Sequence, residues 1–304
     1  VISGTGSLTK TAAAILQLDG NNTYTGATDV SAGTLIANHN NALGTTAGAT
    51  TVSSGATVRV AGGLTIGEAF TVSGTGKTVS VDYGALHLIS GTSSLSGAIS
   101  LAADANVSVA SGSTFTLSGA LDGVFNLNKT DAGTLTLSNA GNSGTLSGGI
   151  SVSAGTLSVA SDHYLSSGGL TLASASTLAV TGATNIDNAI ALAGDATVSA
   201  SAAATLSGII SGASNLTKAG ASMLSLSGSN TYSGTTTVSA GTLSVGSDSN
   251  LGSGALTLAG GTTLAVTGAT TIDNAIALAG NATVNTSANA TLSGIQLEMD
   301  MRIG

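Results

Sequence analysis

Apolar and polar residues alternate along this chain in short bursts. Leu135-Thr136-Leu137, Leu170-Thr171-Leu172, Ile190-Ala191-Leu192, Leu256-Thr257-Leu258 and Ile276-Ala277-Leu278 each set two aliphatic side chains on one side of an extended backbone and a small or polar one on the other. Gly, Ser, Asn and Asp separate the bursts. Period-two alternation bounded by such residues predicts strand and turn, repeated without helix.

The bursts also recur at a fixed distance. Leu157, Leu178 and Val198 follow one another at steps of 21 and 20 residues, and Leu243, Leu264 and Val284 repeat those steps. Residues 154–209 recur at 240–295 with 43 of the 56 positions identical. Long copies of this kind mark stacked units that contact only their neighbours. The expected fold is all-β, a right-handed parallel β-helix with about 20 residues per coil and coils about 4.8 Å apart. Fifteen or so coils would build a column on the order of 70 Å. One continuous domain is expected over residues 1–295. The tail at 296–304 breaks the pattern, with two of the three Met, and is expected to be a cap, a junction strand or a truncation artefact.

Composition narrows the class. Hydrophobic residues make up 42%, but aromatics only 2% and charges 7%, so the apolar content is small Ala, Val, Leu and Ile suited to a narrow interior. Pro is absent, which agrees with a chain that is nearly all paired strand. Cys is absent too, leaving ladder hydrogen bonds and repetitive packing to hold the fold. The net charge of −8 and the scattered positions of Lys10, Arg59, Lys77, Lys129, Lys218 and Arg302 argue against nucleic acid and against anionic membranes as partners. Every apolar run breaks within a few residues, and three Phe, four Tyr and no Trp furnish no aromatic girdle, so this segment is not expected to insert into a membrane directly. No start Met or leader precedes Val1, and the chain reads as a processed or excised piece.

A longer motif overlies the coils. One copy runs Leu8-Thr9-Lys10, Gly20-Asn21-Asn22-Thr23-Tyr24-Thr25-Gly26 and Ser31-Ala32-Gly33-Thr34-Leu35. Another runs Leu216-Thr217-Lys218, Gly228-Ser229-Asn230-Thr231-Tyr232-Ser233-Gly234 and Ser239-Ala240-Gly241-Thr242-Leu243. A third keeps Leu127-Asn128-Lys129 and Ser153-Ala154-Gly155-Thr156-Leu157, but has Asn142-Ser143-Gly144-Thr145-Leu146 in place of the tyrosine element. This pattern resembles the passenger-associated transport repeat, also called the autotransporter-associated β-strand repeat, of Gram-negative type V secreted proteins. The resemblance implies a right-handed β-helical passenger carried to the cell surface through an outer-membrane β-barrel, which this segment does not contain.

No residue set spells a reaction. Asp162 and Asp248, like Asp187 and Asp273, recur one copy apart, about four coils or 19 Å, too far for the paired carboxylates of glycoside cleavage. They are expected in Asx turns. His39, His87 and His163 share no spacing and lack Cys or Glu companions, so no metal is expected. Neither a calcium-binding nonapeptide nor a Gly-x-Ser-x-Gly elbow with plausible partners is present. Tyr24 and Tyr232 are expected to cover coil corners with their hydroxyls in water, and Lys10, Lys129 and Lys218 to blunt an exposed edge or loop. Thr-x-Thr, which an ice-binding face would need on every coil, looks sporadic. No catalytic, cofactor or metal residue is assigned and no enzyme activity is expected. The expected function is structural: an extracellular or cell-surface stalk or adhesin, homo-oligomeric or joined head to tail into filaments, meeting a host-surface or matrix glycan or protein. The alternatives are a polysaccharide-acting β-helix enzyme and a glycan- or ice-binding module.

Overall fold

The computed structural model describes residues 1–77 and 84–294; the off-pattern tail at 296–304 lies outside them. Two compact units are present, Val1–Thr181 and Gly182–Gly304. Each is a parallel β-solenoid.

In the first unit the chain climbs through three ladders of parallel strands. One ladder stacks Leu8–Lys10, Thr28–Val30, Ala49–Val52, Ala69–Gly74 and the start of Ile99–Val109. A second stacks Ile15–Leu18, Gly33–Ala37, Ala56–Val60, Leu86–Leu88, the end of Ile99–Val109, then Leu127–Thr130, Ile150–Val152 and Leu170–Leu172. The third stacks Thr65–Ile66, Thr92–Leu95, Thr114–Leu117, Thr134–Leu137, Thr156–Val159 and Thr177–Val180. Ile99–Val109 serves two ladders by bending, with a register shift between Leu101 and Ala105. In the second unit Leu216–Ala219 lies between Ala196–Ala200 and Thr236–Val238, followed by Leu256–Leu258 and Ile276–Leu278. Beside that ladder run Ala204–Leu206, Met223–Leu226, Thr242–Val245, Thr263–Val266 and Thr283–Thr286.

The expected register is the observed one. Leu157 stands opposite Leu178, and Leu243 opposite Leu264 opposite Val284. Leu157, Leu178, Leu243 and Leu264 have no solvent exposure. Each inward aliphatic side chain sits on its counterpart one coil away, so burial proceeds coil by coil at roughly 1.5–3 kcal/mol per leucine. The absence of helix needs one amendment. Asn142–Thr145 forms a single α-turn, and Asp162–Tyr164 and Asp248–Asn250 form 3-10 turns, all at corners between strands.

Close stacking explains the glycines. At Gly119 a Cβ would lie 1.7 Å from the carbonyl oxygen of Gly97, one coil back, where no side chain fits without separating the coils. The glycine of each Ser-Ala-Gly element has a second reason: Gly33, Gly155 and Gly241 have φ of 74°, 70° and 69°, a region unfavourable to side-chain-bearing residues. Gly119→Ala should therefore cost about 1–3 kcal/mol, read as a lower melting temperature and faster amide exchange in the adjoining coils. Gly144→Ala, which meets nothing within 4 Å, is the neutral control. Equal melting of the two variants would refute the stacking account.

Candidate functional site

The recurring motif is the place where the sequence concentrates unusual residues, and its polar side chains turn inward. Lys129 and Lys218 are fully buried and Lys10 nearly so. The ammonium of Lys129 donates to the carbonyls of Thr130 (2.7 Å), Asp131 (2.5 Å) and Ala154 (3.0 Å). Lys218 repeats this with Ala219 (2.9 Å), Gly220 (2.6 Å) and Ala240 (2.9 Å). Lys10 reaches the carbonyls of Ala12 and Ala32. Each lysine thus clamps the turn after its own strand to the alanine of the Ser-Ala-Gly element in the next coil. The expectation that these lysines blunt an exposed edge is corrected. A strand position that alternation points inward carries the long stem into the core, where its ammonium donates to backbone carbonyls at the corner. Burial pushes the Lys129 ammonium down to about 8, opposed by the Asp131 carboxylate, so it stays charged at neutral pH.

Asn22, Asn142 and Asn230 form a second staple, spanning three coils. The side-chain oxygen of Asn22 accepts from the amide of Ile2 (2.8 Å), and its amide donates to the carbonyl of Ala42 (2.7 Å). Asn142 bridges the Leu121 amide (2.9 Å) and the Tyr164 carbonyl (2.8 Å). Asn230 bridges the Ile210 amide (2.8 Å) and the Asn250 carbonyl.

Tyr24 and Tyr232 are buried as well, which corrects the expectation of hydroxyls in water. Each hydroxyl lies 2.6 Å from a threonine oxygen four residues on, Thr28 or Thr236. Thr28 passes its own proton to the Leu43 carbonyl (3.2 Å), so Tyr24 is the donor of its pair. In the third copy the same spacing holds Leu146 and Ile150, both buried, as an apolar pair.

The acidic candidates divide differently. Asp248 does not bond its own backbone as an Asx turn would; it accepts from the amide of Asp273 (3.0 Å), across the stack. Asp104 and Asp195 are exposed, and each accepts from both the backbone and side-chain amides of an asparagine one coil on, Asn126 and Asn215. These bonds hold both carboxyls below the usual range. His39 accepts from the Asn41 amide (3.0 Å) at an exposed turn, and His87 is buried on Leu86–Leu88 opposite Arg59. Among the described residues no three of His, Asp and Glu gather as a metal would require.

Two features escaped the sequence. Glu68 is buried, with Oε1 accepting from the Thr50 hydroxyl (3.0 Å) and Oε2 without a partner. Burial pushes its pKa up to about 8, against the pull of Thr50. The threonines that look sporadic in the sequence form columns. Thr92, Thr114, Thr134, Thr156 and Thr177 stand in register in the first unit, and Thr197, Thr217, Thr237 and Thr257 in the second.

This is a solenoid whose repeated polar residues hold one coil to the next. Residues 8–37, 127–159 and 216–245 match the passenger-associated-transport-repeat model, so the chain carries three repeats of the autotransporter passenger kind. No curated protein and no solved structure matched the chain.

Two outcomes test this arrangement. Lys218→Met keeps the stem but leaves the carbonyls of Ala219, Gly220 and Ala240 unpaired, and should cost about 2–4 kcal/mol in thermal melts; a loss within about 0.5 kcal/mol would fit the surface-lysine reading instead. Glu68 keeps its proton in the fold up to about pH 8, while the unfolded chain loses it near 4.5. The native state therefore binds more protons between those values, and its stability falls as pH rises across that window. Glu68→Gln should flatten the fall and leave the variant about 2–4 kcal/mol more stable than the parent at pH 8.5. An unchanged slope in melts from pH 4.5 to 8.5 would exclude Glu68 as its source.

Proposed function

We propose that this chain is a structural segment of a secreted or cell-surface bacterial protein of the autotransporter passenger kind, acting as a stalk or adhesin and without enzymatic activity. The carrying observation is that the repeated Lys, Asn and Tyr residues of the motif spend their polar atoms on groups inside the stack. Such a segment works by geometry. Its outward Thr, Ser and Asn positions offer many weak contacts to a glycan or protein surface, and coils with open edges can join end to end.

The motif's placement within the first unit supports this reading. The lysine strand of the first copy, Leu8–Lys10, lies on the first ladder, whereas that of the third copy, Leu127–Thr130, lies on the second. Equivalent motif residues therefore do not line up on one face, and repetition maintains the interior of the stack instead of building a repeated ligand stripe.

A second reading rests on the threonine columns. In-register Thr at the coil spacing on a parallel sheet is an ordered hydroxyl array, suited to a water lattice or a glycan chain.

The test places this chain between an export signal and an outer-membrane β-barrel in a Gram-negative cell. The structural reading expects protease-accessible, folded β-structure at the surface and no reducing-end release from polysaccharides. Retention inside the cell, or sugar release by the purified chain, would sink it. Thermal hysteresis abolished by Thr134→Tyr would favour the second reading.

A further inference from the structure

The first unit carries a groove of about 200 Å³ over Leu127–Thr130, Ile150–Val152 and Leu170–Leu172. Asn128, Ser151 and Thr171, one from each strand, stand in register along it. Asn126, Gly149 and Gly169 line it at the corner from which those strands start. The asparagines are held in place. The backbone and side-chain amides of Asn126 donate to the Asp104 carboxylate (2.8 and 3.2 Å), and its side-chain oxygen accepts from the Gly149 amide (2.8 Å). Asn128 donates to the side-chain oxygen of Asn106 (3.1 Å). Each of these side-chain amides carries a second hydrogen, and the hydroxyls of Ser151 and Thr171 can both donate and accept.

The same corner recurs in the second unit with side chains in the space. Asn215 donates from backbone and side chain to Asp195 (2.9 and 3.0 Å) and accepts from the Thr235 amide (2.8 Å). Thr235 and Ala255 stand where the first unit has Gly149 and Gly169, and Ala213-Ser214 where it has Val124-Phe125. The stack therefore accepts side chains at both glycine positions, and Gly149 lacks the positive φ that would demand glycine. Val124 is 73% and Phe125 38% exposed, and Phe125 is the exposed one of the three Phe. Two side chains are lost and an exposed aromatic is gained in one corner, and maintenance of the stack explains neither change.

We propose that this corner binds one ring of an uncharged glycan, with the amides and hydroxyls of the groove taking the sugar hydroxyls and Phe125 meeting the C–H face of the ring. No charged side chain lines the groove, so an ionic ligand finds no counter-charge in it. A peptide strand finds no backbone to pair with there, because the Leu127 amide already donates to the Gly149 carbonyl (3.0 Å) and the Ile150 amide to the Gly169 carbonyl (3.0 Å). Sugar hydroxyls are donors and acceptors at once, which matches a lining that supplies both. The volume lies below the roughly 300–1,000 Å³ of a drug-sized site and suits a single pyranose with the rest of its chain outside. This gives the glycan contact of the structural reading a place and rests on that reading.

The second unit supplies the test variants, because its residues already occupy this corner of the stack. Tri-N-acetylchitotriose and maltotriose, titrated into the full chain, should shift the backbone amide signals of Asn126, Asn128, Ser151 and Thr171, with a Kd on the order of 1 mM for at least one of them. Gly149→Thr combined with Gly169→Ala, and separately Phe125→Ser, should each weaken that binding about tenfold or more while leaving the melting temperature unchanged. Thr217→Val, at the second unit's counterpart of Asn128, should leave binding as it is. Failure of both trisaccharides to bind, tighter binding of a sialylated or sulfated trisaccharide, or affinity unmoved by both variants would each overturn the proposal. A chain that reaches the cell surface folded but binds neither sugar leaves the stalk reading standing; sugar binding by a purified chain that cells retain inside overturns the stalk reading and leaves the groove.

Discussion

Coils stacked at strand spacing leave room for aliphatic side chains and almost none for water, so a polar group that turns inward must find its partner within its own coil or an adjacent one. That constraint governs the rest of the molecule. Strands satisfy themselves through the ladders and many turn amides bond the coil before or after, but some corner carbonyls and amides are met by side chains instead. Lys129 and Lys218 answer this with an ammonium enclosed by three carbonyls. Asn22, Asn142 and Asn230 answer it with an amide that accepts from one coil and donates to another. A buried charge is expensive alone, and these are kept because the unpaired carbonyls would otherwise cost comparably.

The fold was legible because its main signal is periodic. Steps of 20 and 21 residues between inward aliphatic positions became strand partners as they stood, Leu243 to Leu264 to Val284. The site was less so, because residue type is a poor guide to direction when the backbone alone fixes it. Lysine and tyrosine are ordinarily surface or half-surface residues, and assigning Lys129 and Tyr232 to the outside followed that habit. Their alternation with Leu127 and their four-residue spacing to Thr236 were the available signals. Glu68 had none, since it occurs once, outside the motif, and its burial depends on Thr50, a coil away. The threonine column of the first unit stayed hidden because its successive coils take 22, 20, 22 and 21 residues from Thr92 to Thr177, so no single period aligns them, whereas the column of the second unit keeps an even step of 20.

A shift of faces separates what repetition preserves from what it ignores. Between the first and third copies the motif moves from the first and second ladders to the second and third. Nothing in the interior notices, because each coil meets only the coils above and below it. A ligand approaching from outside would notice at once, since equivalent side chains then point in different directions. Repeated residues therefore maintain the stack, while positions such as the threonines line up by ladder register regardless of copy.

The third copy shows which parts of the motif can be exchanged and why. Tyr24 with Thr28 and Tyr232 with Thr236 supply hydroxyl partners to each other, so the pair can be replaced as a unit; Leu146 and Ile150 do so, with two of the three inserted residues absorbed by the turn at Asn142–Thr145. Removing both hydroxyls together leaves neither facing a lost partner in the other, although the Thr28 bond to the Leu43 carbonyl goes with them. Asn142 and Lys129 persist in the same copy because their partners are backbone atoms, which no substitution can delete. The motif thus divides into side chains that answer to one another, which are free to change together, and side chains that answer to the main chain, which are not.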